Sequence, residues 1–148
     1  MREKRITLTY YINLALFYKT MTKKVLPKII EEVGFDFWWS EEKVWALDLP
    51  VEKIDIKELE WHFEIPFWNT KKGYYDLKPN DVINFPEHHQ EEYDRTMKSV
   101  LSYPIDLMEN KGRWLILDGL HRLVKAKILG KTKIEVRKVP RNKIPEIK

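Results

Sequence analysis

Between residues 114 and 130 the chain reads WLILDGLHRLVKAKILG. An apolar run ends at Asp118-Gly119, and a basic helical stretch follows at once with His121 and Arg122 in its first turn. The first amides of a helix have no partner within it and lie at the positive end of its dipole. Gly119 would allow a positive φ at the turn and a close approach of backbone to ligand. The amides of Gly119, Leu120, His121 and Arg122 would then face an anion, and the Arg122 guanidinium offers a fork that matches phosphate oxygens. His121 could add a second donor or, when protonated, a charge. Asp118, at the strand's end, could hold a metal ion carried by a nucleotide or accept a proton. Lys125 follows Arg122 at i+3 on the same helix face and could reach a distal phosphate.

Each residue also has a plain structural explanation. Asp118 serves as a helix cap, Gly119 as a turn, and His121, Arg122 and Lys125 as a solvated face. Two basic side chains in a helix's first turn are nevertheless unfavourable with its dipole, so they call for an anion or a structural reason.

Phosphoryl transfer would also use a carboxylate base, for which Glu58, Glu60 and Glu64 compete. Glu60 is preferred, because Glu58 stands at capping-box spacing from Asp55. The segment EHHQEEYDR, residues 87–95, offers His88, His89, Glu91 and Glu92. Adjacent histidines on a helix point about 100° apart and do not chelate one ion, so the segment reads as a polar helix start. His62 reads as a packing or surface residue. Trp38, Trp39 and Trp45 read as glue between the N-terminal helices and the rest, while Phe67, Trp68, Tyr74 and Tyr75 are either core or a platform for a base.

The elements that would position these groups follow from periodicity and punctuation. Residues 8–20 alternate as in a strand but, by length and lack of turn residues, read rather as a helix, and 22–33 as a second helix carrying Val25, Ile29 and Val33 on one face, so that residues 1–34 form a helical hairpin. The run VWALDLPVEKI, 44–54, reads as a strand interrupted by Pro50. Ile56, Leu59 and Phe63 mark a short helix, 64–81 reads as an aromatic-rich loop, and Tyr93, Met97, Val100 and Leu101 mark a helix from Glu87 to about Leu101. Residues 103–119 read as a hairpin across Asn110-Lys111-Gly112, followed by a helix over 119–129 closed by Gly130 and a strand over 132–140. The tail after Pro140 is expected to be mobile. The expected architecture is α/β, of the α+β kind, with a helical extension over 1–42 and a domain over 43–148.

The 148 residues include no Cys, which excludes disulfides, thiolate metal sites and Cys nucleophiles, and fits a cytoplasmic location. The apolar stretch near the N-terminus contains Thr, Asn and several Tyr and falls short of the ~20 residues a membrane span needs. It reads as a buried segment of a protein with no membrane partner. Net charge is +4 and uneven. The basic residues 122, 125, 127, 131, 133, 137, 138, 141, 143 and 148 face only Glu135 and Glu146, an excess that would attract a nucleotide or DNA, or would simply be a solvated surface.

The succession PI-x-L, a hairpin, WLILDGLHRL-x-KA, LG and IEVR resembles the ParB/sulfiredoxin superfamily. In that family a strand ends in a G-x-H-R or G-E-R-R turn, and the next helix is followed by Gly and a closing strand. The match is clearest over 103–139, and LDLPVEKI at 47–54 resembles the family's first strand. The resemblance implies a mixed sheet with flanking helices and a nucleotide whose phosphates rest on Gly119, Leu120, His121 and Arg122. Asp118 matches the D-G-x-H-R form found in free serine kinases of this fold, in which the Asp and a separate Glu take part in phosphoryl transfer. Sulfiredoxin's catalytic Cys falls at Leu120, so sulfiredoxin activity is excluded. A complete ParB would also carry a helix-turn-helix domain, which does not follow here. The expectation is a nucleotide-dependent phosphotransferase or hydrolase using ATP, ADP or CTP with Mg²⁺ and an unspecified small acceptor. Asp118, His121 and Glu60 would be its catalytic groups. The alternative is a ParB-like DNA-binding or regulatory module using the basic C-terminal end.

Overall fold

The computed structural model describes residues 26–148. The expected helix over 8–20 and the start of the one over 22–33 lie outside the described residues. Numbering the elements over the described part, α1 (Lys28–Val33) begins directly after Pro27 and ends before Gly34. The chain then passes through Phe35, Phe37 and Trp39, whose rings pack within 6 Å of one another and join the same buried cluster as the sheet. Ile30, Val33, Phe35, Phe37 and Trp39 thus join the core around the sheet.

The strand expected from residue 44 begins only after Pro50. Residues Glu41–Trp45 form α2 instead. Ser40 accepts a hydrogen bond from the Lys43 amide, and Glu41 and Glu42 occupy the first turn, where acidic side chains suit the helix dipole. Strand β1 is Glu52–Asp55, followed by two 3-10 turns, Ile56–Glu58 and Glu60–Glu64. The Asp55 carboxylate accepts from the Lys57 amide, so the cap is present, and Ile56, Leu59 and Phe63 are buried as their spacing requires.

The stretch 64–81 contains a hairpin, β2 (Trp68–Thr70) and β3 (Gly73–Leu77), where a loop was expected. The Asp76 carboxylate ties it together by accepting from the Thr70 amide and hydroxyl. Helix α3 (Pro79–Asn84) follows, with Asp81 accepting from the Lys78 amide. After the 3-10 turn Pro86–His88 comes α4 (Gln90–Lys98).

The central hairpin matches the sequence reading. Strands β4 (Ile105–Asn110) and β5 (Arg113–Asp118) are antiparallel, and Lys111 and Gly112 both take positive φ, as the middle of a type I′ turn requires. Residues 105–108 and 115–118 are all buried, consistent with apolar runs covered on both faces. Helix α5 (Leu120–Ile128) is stopped by Gly130 at φ +75°, and β6 (Lys133–Lys138) returns beside β4. The sheet order is β1-β6-β4-β5, with β6 parallel to β4 and antiparallel to β1.

Beyond Pro140 the chain does not leave the body. A 3-10 turn (Arg141–Lys143) and the short α6 (Ile144–Ile147) bring Ile147 fully into the core, and the Ile147 carbonyl accepts from the Ser40 amide. Among the described residues no helix is long and apolar enough to cross a membrane.

Candidate functional site

Strand β5 reaches its last residues with a register shift. Asp118 lies opposite Asp106 while Ile116 lies opposite Leu107, so Leu117 is an extra residue that bends the strand's end. Gly119 then takes φ +120° and opens α5 with no side-chain cap. A Cβ there would stand 2.9 Å from Arg122 Nη2 and 3.0 Å from Ile105 Cγ1. The glycine is therefore required by packing beneath the turn as well as by its backbone angle.

What packs beneath the turn is the Arg122 guanidinium. Its side chain is 2% exposed. Nη2 donates to Asp118 Oδ2 at 2.7 Å, and Nη1 donates to the Pro104 carbonyl at 2.7 Å. Asp118 Oδ2 also accepts from Trp45 Nε1 at 2.8 Å. Across the ladder, buried Asp106 accepts from Arg137 Nε at 2.7 Å. The remaining Arg137 nitrogens donate to the Leu47 and Val44 carbonyls. Two arginines and two aspartates thus form a sealed polar cluster that ties β4, β5, β6, α2 and α5 together. Burial raises the Asp106 carboxyl above its ordinary range, and the hydrogen bond and charge of Arg137 pull it back.

The structure places the expected site residues as follows. The Arg122 fork points inward, its side chain 2% exposed with Nη2 on Asp118 and Nη1 on the Pro104 carbonyl. Asp118 is not an open metal ligand, since its carboxylate is enclosed by Arg122 and Trp45. No group of three or more His, Asp or Glu able to hold a metal occurs among the described residues. Glu60 is not brought to the turn but pairs with Lys127 at 2.6 Å, about two helical turns along α5 from Leu120. Lys125 lies near the site but donates to the Ser99 carbonyl at 2.8 Å.

His121 is placed differently. Its ring stacks on Trp68, with centroids 4.7 Å apart and planes 17° from parallel. Nε2 lies 2.6 Å from Glu92 Oε1, and the imidazole remains 12% exposed. Glu92 is buried on α4, its other oxygen accepting from Arg95, which also pairs with Glu91. Among the described residues nothing hydrogen-bonds the second nitrogen of the His121 ring. The arrangement presents one imidazole nitrogen at the start of α5, with the other held by a carboxylate and the ring plane fixed by an indole.

Sequence reasoning singled out Trp68 and Glu92 without joining either to His121. They stand 53 and 29 residues away in the chain, and only the fold brings them together. A signal was present on α4: Glu92 and Thr96, at i and i+4, line the edge of the Tyr93–Met97 stripe, and both are buried. His88 and His89 do not converge, their ring centroids lying 6.5 Å apart. Of the aromatic residues, Phe67, Trp68 and Tyr75 are core, whereas Tyr74 is exposed.

His62 is fully buried and serves the sheet. Its Nδ1 pairs with the Leu59 carbonyl at 2.8 Å, and Nε2 accepts from the Ile116 amide of β5 at 3.2 Å. Burial drives its pKa down from 6.5 to about 3, against the Leu59 hydrogen bond, which favours the proton. Compared with family models, with curated proteins and with solved structures, the chain matches none.

Proposed function

We propose that the chain binds a nucleotide and transfers or hydrolyses a phosphoryl group, with the phosphate received at the first turn of α5. The observation that carries this reading is the position of His121. It projects from a helix start that no side chain caps, it is held by Glu92 and Trp68, and one ring nitrogen has no partner among the described residues. Helix-start amides and an adjacent imidazole suit the oxygens of a phosphate. The resemblance to the ParB/sulfiredoxin superfamily adds support. The first strand, the PI strand, the hairpin, the D-G-x-H-R turn, the helix, Gly130 and the closing strand follow in order around one sheet. ATP, ADP and CTP are the candidate nucleotides, and a small hydroxylic compound or water is the acceptor.

In this reading Arg122 and Asp118 shape the turn from beneath, and the contact with ligand falls to the Leu120 and His121 amides and the His121 ring. Lys125 joins them by exchanging the Ser99 carbonyl for a phosphate oxygen. The basic C-terminal stretch gives no comparable support to DNA binding. Arg122, Lys127, Lys133, Arg137, Lys138 and Lys143 are paired with Asp118, Glu60, Asp55, Asp106, Glu52 and Glu146. Five of its ten cations are therefore paired with acids from elsewhere in the fold, and Lys143 with Glu146 inside the stretch.

A thermal-shift series with ATP, ADP and CTP tests the reading. A nucleotide at a hundred times its dissociation constant adds about 2.7 kcal/mol to stability by mass action. A rise in Tm with one nucleotide, lost in His121→Ala while that variant still melts cooperatively, is the expected result. No rise with any of the three overturns the proposal.

A further inference from the structure

We propose that Glu92 is the positioning residue that makes His121 the general base of this site, an inference that rests on the nucleotide reading above. The sequence offered a carboxylate base among Glu58, Glu60 and Glu64, and the fold carries the preferred one away to Lys127. The carboxylate brought to the turn is Glu92, from a different helix, and it meets the imidazole and not the solvent. A carboxylate 2.6 Å from one ring nitrogen accepts a hydrogen bond from the N–H there and leaves the lone pair of a neutral ring on the other nitrogen. It also stabilises the imidazolium that forms when that second nitrogen takes a proton. Trp68 holds the ring plane by stacking, and Arg95 holds the Glu92 carboxylate by its second oxygen. Imidazole, carboxylate and Trp68 are nearly enclosed, the ring keeping 12% exposure, while Arg95 holds the carboxylate from the solvent side. This is the order of parts that general-base catalysis needs: a reacting nitrogen, a group that orients it, and a rigid surround.

The chemistry balances with two reactants, a nucleoside di- or triphosphate and an acceptor bearing a hydroxyl, which is water in the hydrolytic case. The acceptor's O–H bond breaks and its proton passes to the open nitrogen of His121. The oxygen's electron pair forms a new bond to the terminal phosphorus. The bridging P–O bond breaks, and its electron pair leaves with the nucleotide shortened by one phosphoryl group. The imidazolium remains paired with the Glu92 carboxylate until its proton is lost to solvent.

The test is a double-mutant cycle in the full chain with Glu92→Gln, His121→Gln and the pair. Turnover is followed as phosphate or phosphorylated product, and nucleotide affinity by calorimetry. Glu92→Gln is expected to lower kcat by roughly 10²–10⁴-fold, the range for loss of a positioned base or its orienting partner. Its nucleotide affinity is expected to stay within about threefold, because Glu92 touches the ring and not the ligand. The double variant is expected to lose no more than His121→Gln alone, since the two act as a unit. If Glu92→Gln does not melt cooperatively, Glu92→Asp takes its place, with a smaller loss of kcat and the same unchanged affinity. Turnover within threefold of the wild type, or losses that multiply in the double variant, overturns the dyad while nucleotide binding stands. Failure of the wild type to bind any nucleotide overturns the underlying reading, and the dyad with it.

Discussion

Arg122 shows how one residue type at one spacing serves opposite purposes. In the sequence, D-G-x-H-R presents a guanidinium at a helix start, which suggests an anion outside. In the fold, Asp118 and Arg122 stand at i and i+4, and the anion is Asp118 itself. That spacing was open to inspection, but burial decides between the two uses, and burial is not encoded in five residues. The consequence is a stability effect where a binding effect was expected. Removing one partner of a buried pair leaves the other charge uncompensated, at about 3–5 kcal/mol. Arg122→Ala is therefore expected to lower the unfolding free energy by that amount, read as a reduced urea midpoint. His121→Ala on the same turn is expected to cost less, because Glu92 keeps Arg95 as its partner. Equal midpoints for Arg122→Ala and the wild type would show the guanidinium to be free.

The elements divide by how local their causes are. The β4–β5 hairpin, α5 and β6 were legible because their signals lie within each segment: apolar runs, Lys111-Gly112 at the turn, Gly130 at the helix end. The stretch 44–49 misled because Val44 and Ala46 alternate as in a strand, while the deciding signal was Ser40 just upstream, capping α2. The β2–β3 hairpin was hidden by turn-forming residues and is fixed by Asp76 reaching back to Thr70, a contact across the turn. The C-terminal segment was misread for the same reason. Its lysines suggest solvent, yet Ile147 is fully buried, the Ser40 amide donates to its carbonyl, and Lys43 donates to the Lys148 carbonyl. The last residues therefore brace α2, whose Trp45 closes over Asp118. Ile147→Ala is expected to cost about 2–5 kcal/mol, the usual range for truncating a buried isoleucine. The midpoint of a denaturant titration measures it, and a change below 0.5 kcal/mol would mean that the tail is not docked.

Taken whole, the molecule covers part of the β5 edge of its sheet with side chains where another strand could have paired. Strand β5 lies last in the sheet order, and its Ile116 amide donates to His62 while its Leu117 carbonyl accepts from Trp39 Nε1. This arrangement occupies two backbone groups that an incoming strand would need. It also makes the fold sensitive to acid. His62 accepts from the Ile116 amide only while Nε2 lacks a proton, and burial holds its pKa near 3 against 6.5 in the unfolded chain. Above pH 6.5 both states are neutral and the histidine adds no pH dependence. Between 6.5 and 3 only the unfolded chain takes up the proton, so stability falls as pH falls, by up to about 1.4 kcal/mol for each unit. Below about 3 both states are protonated and this contribution levels off. His62→Gln keeps a donor and an acceptor but cannot titrate. It is expected to begin somewhat less stable at pH 7 and to lose less between pH 6 and 4, by about 2–3 kcal/mol, than the wild type. Urea titrations of both proteins at half-unit steps of pH give the two slopes directly. Parallel slopes would mean that His62 accepts a proton in the folded state and that its bond to Ile116 is dispensable.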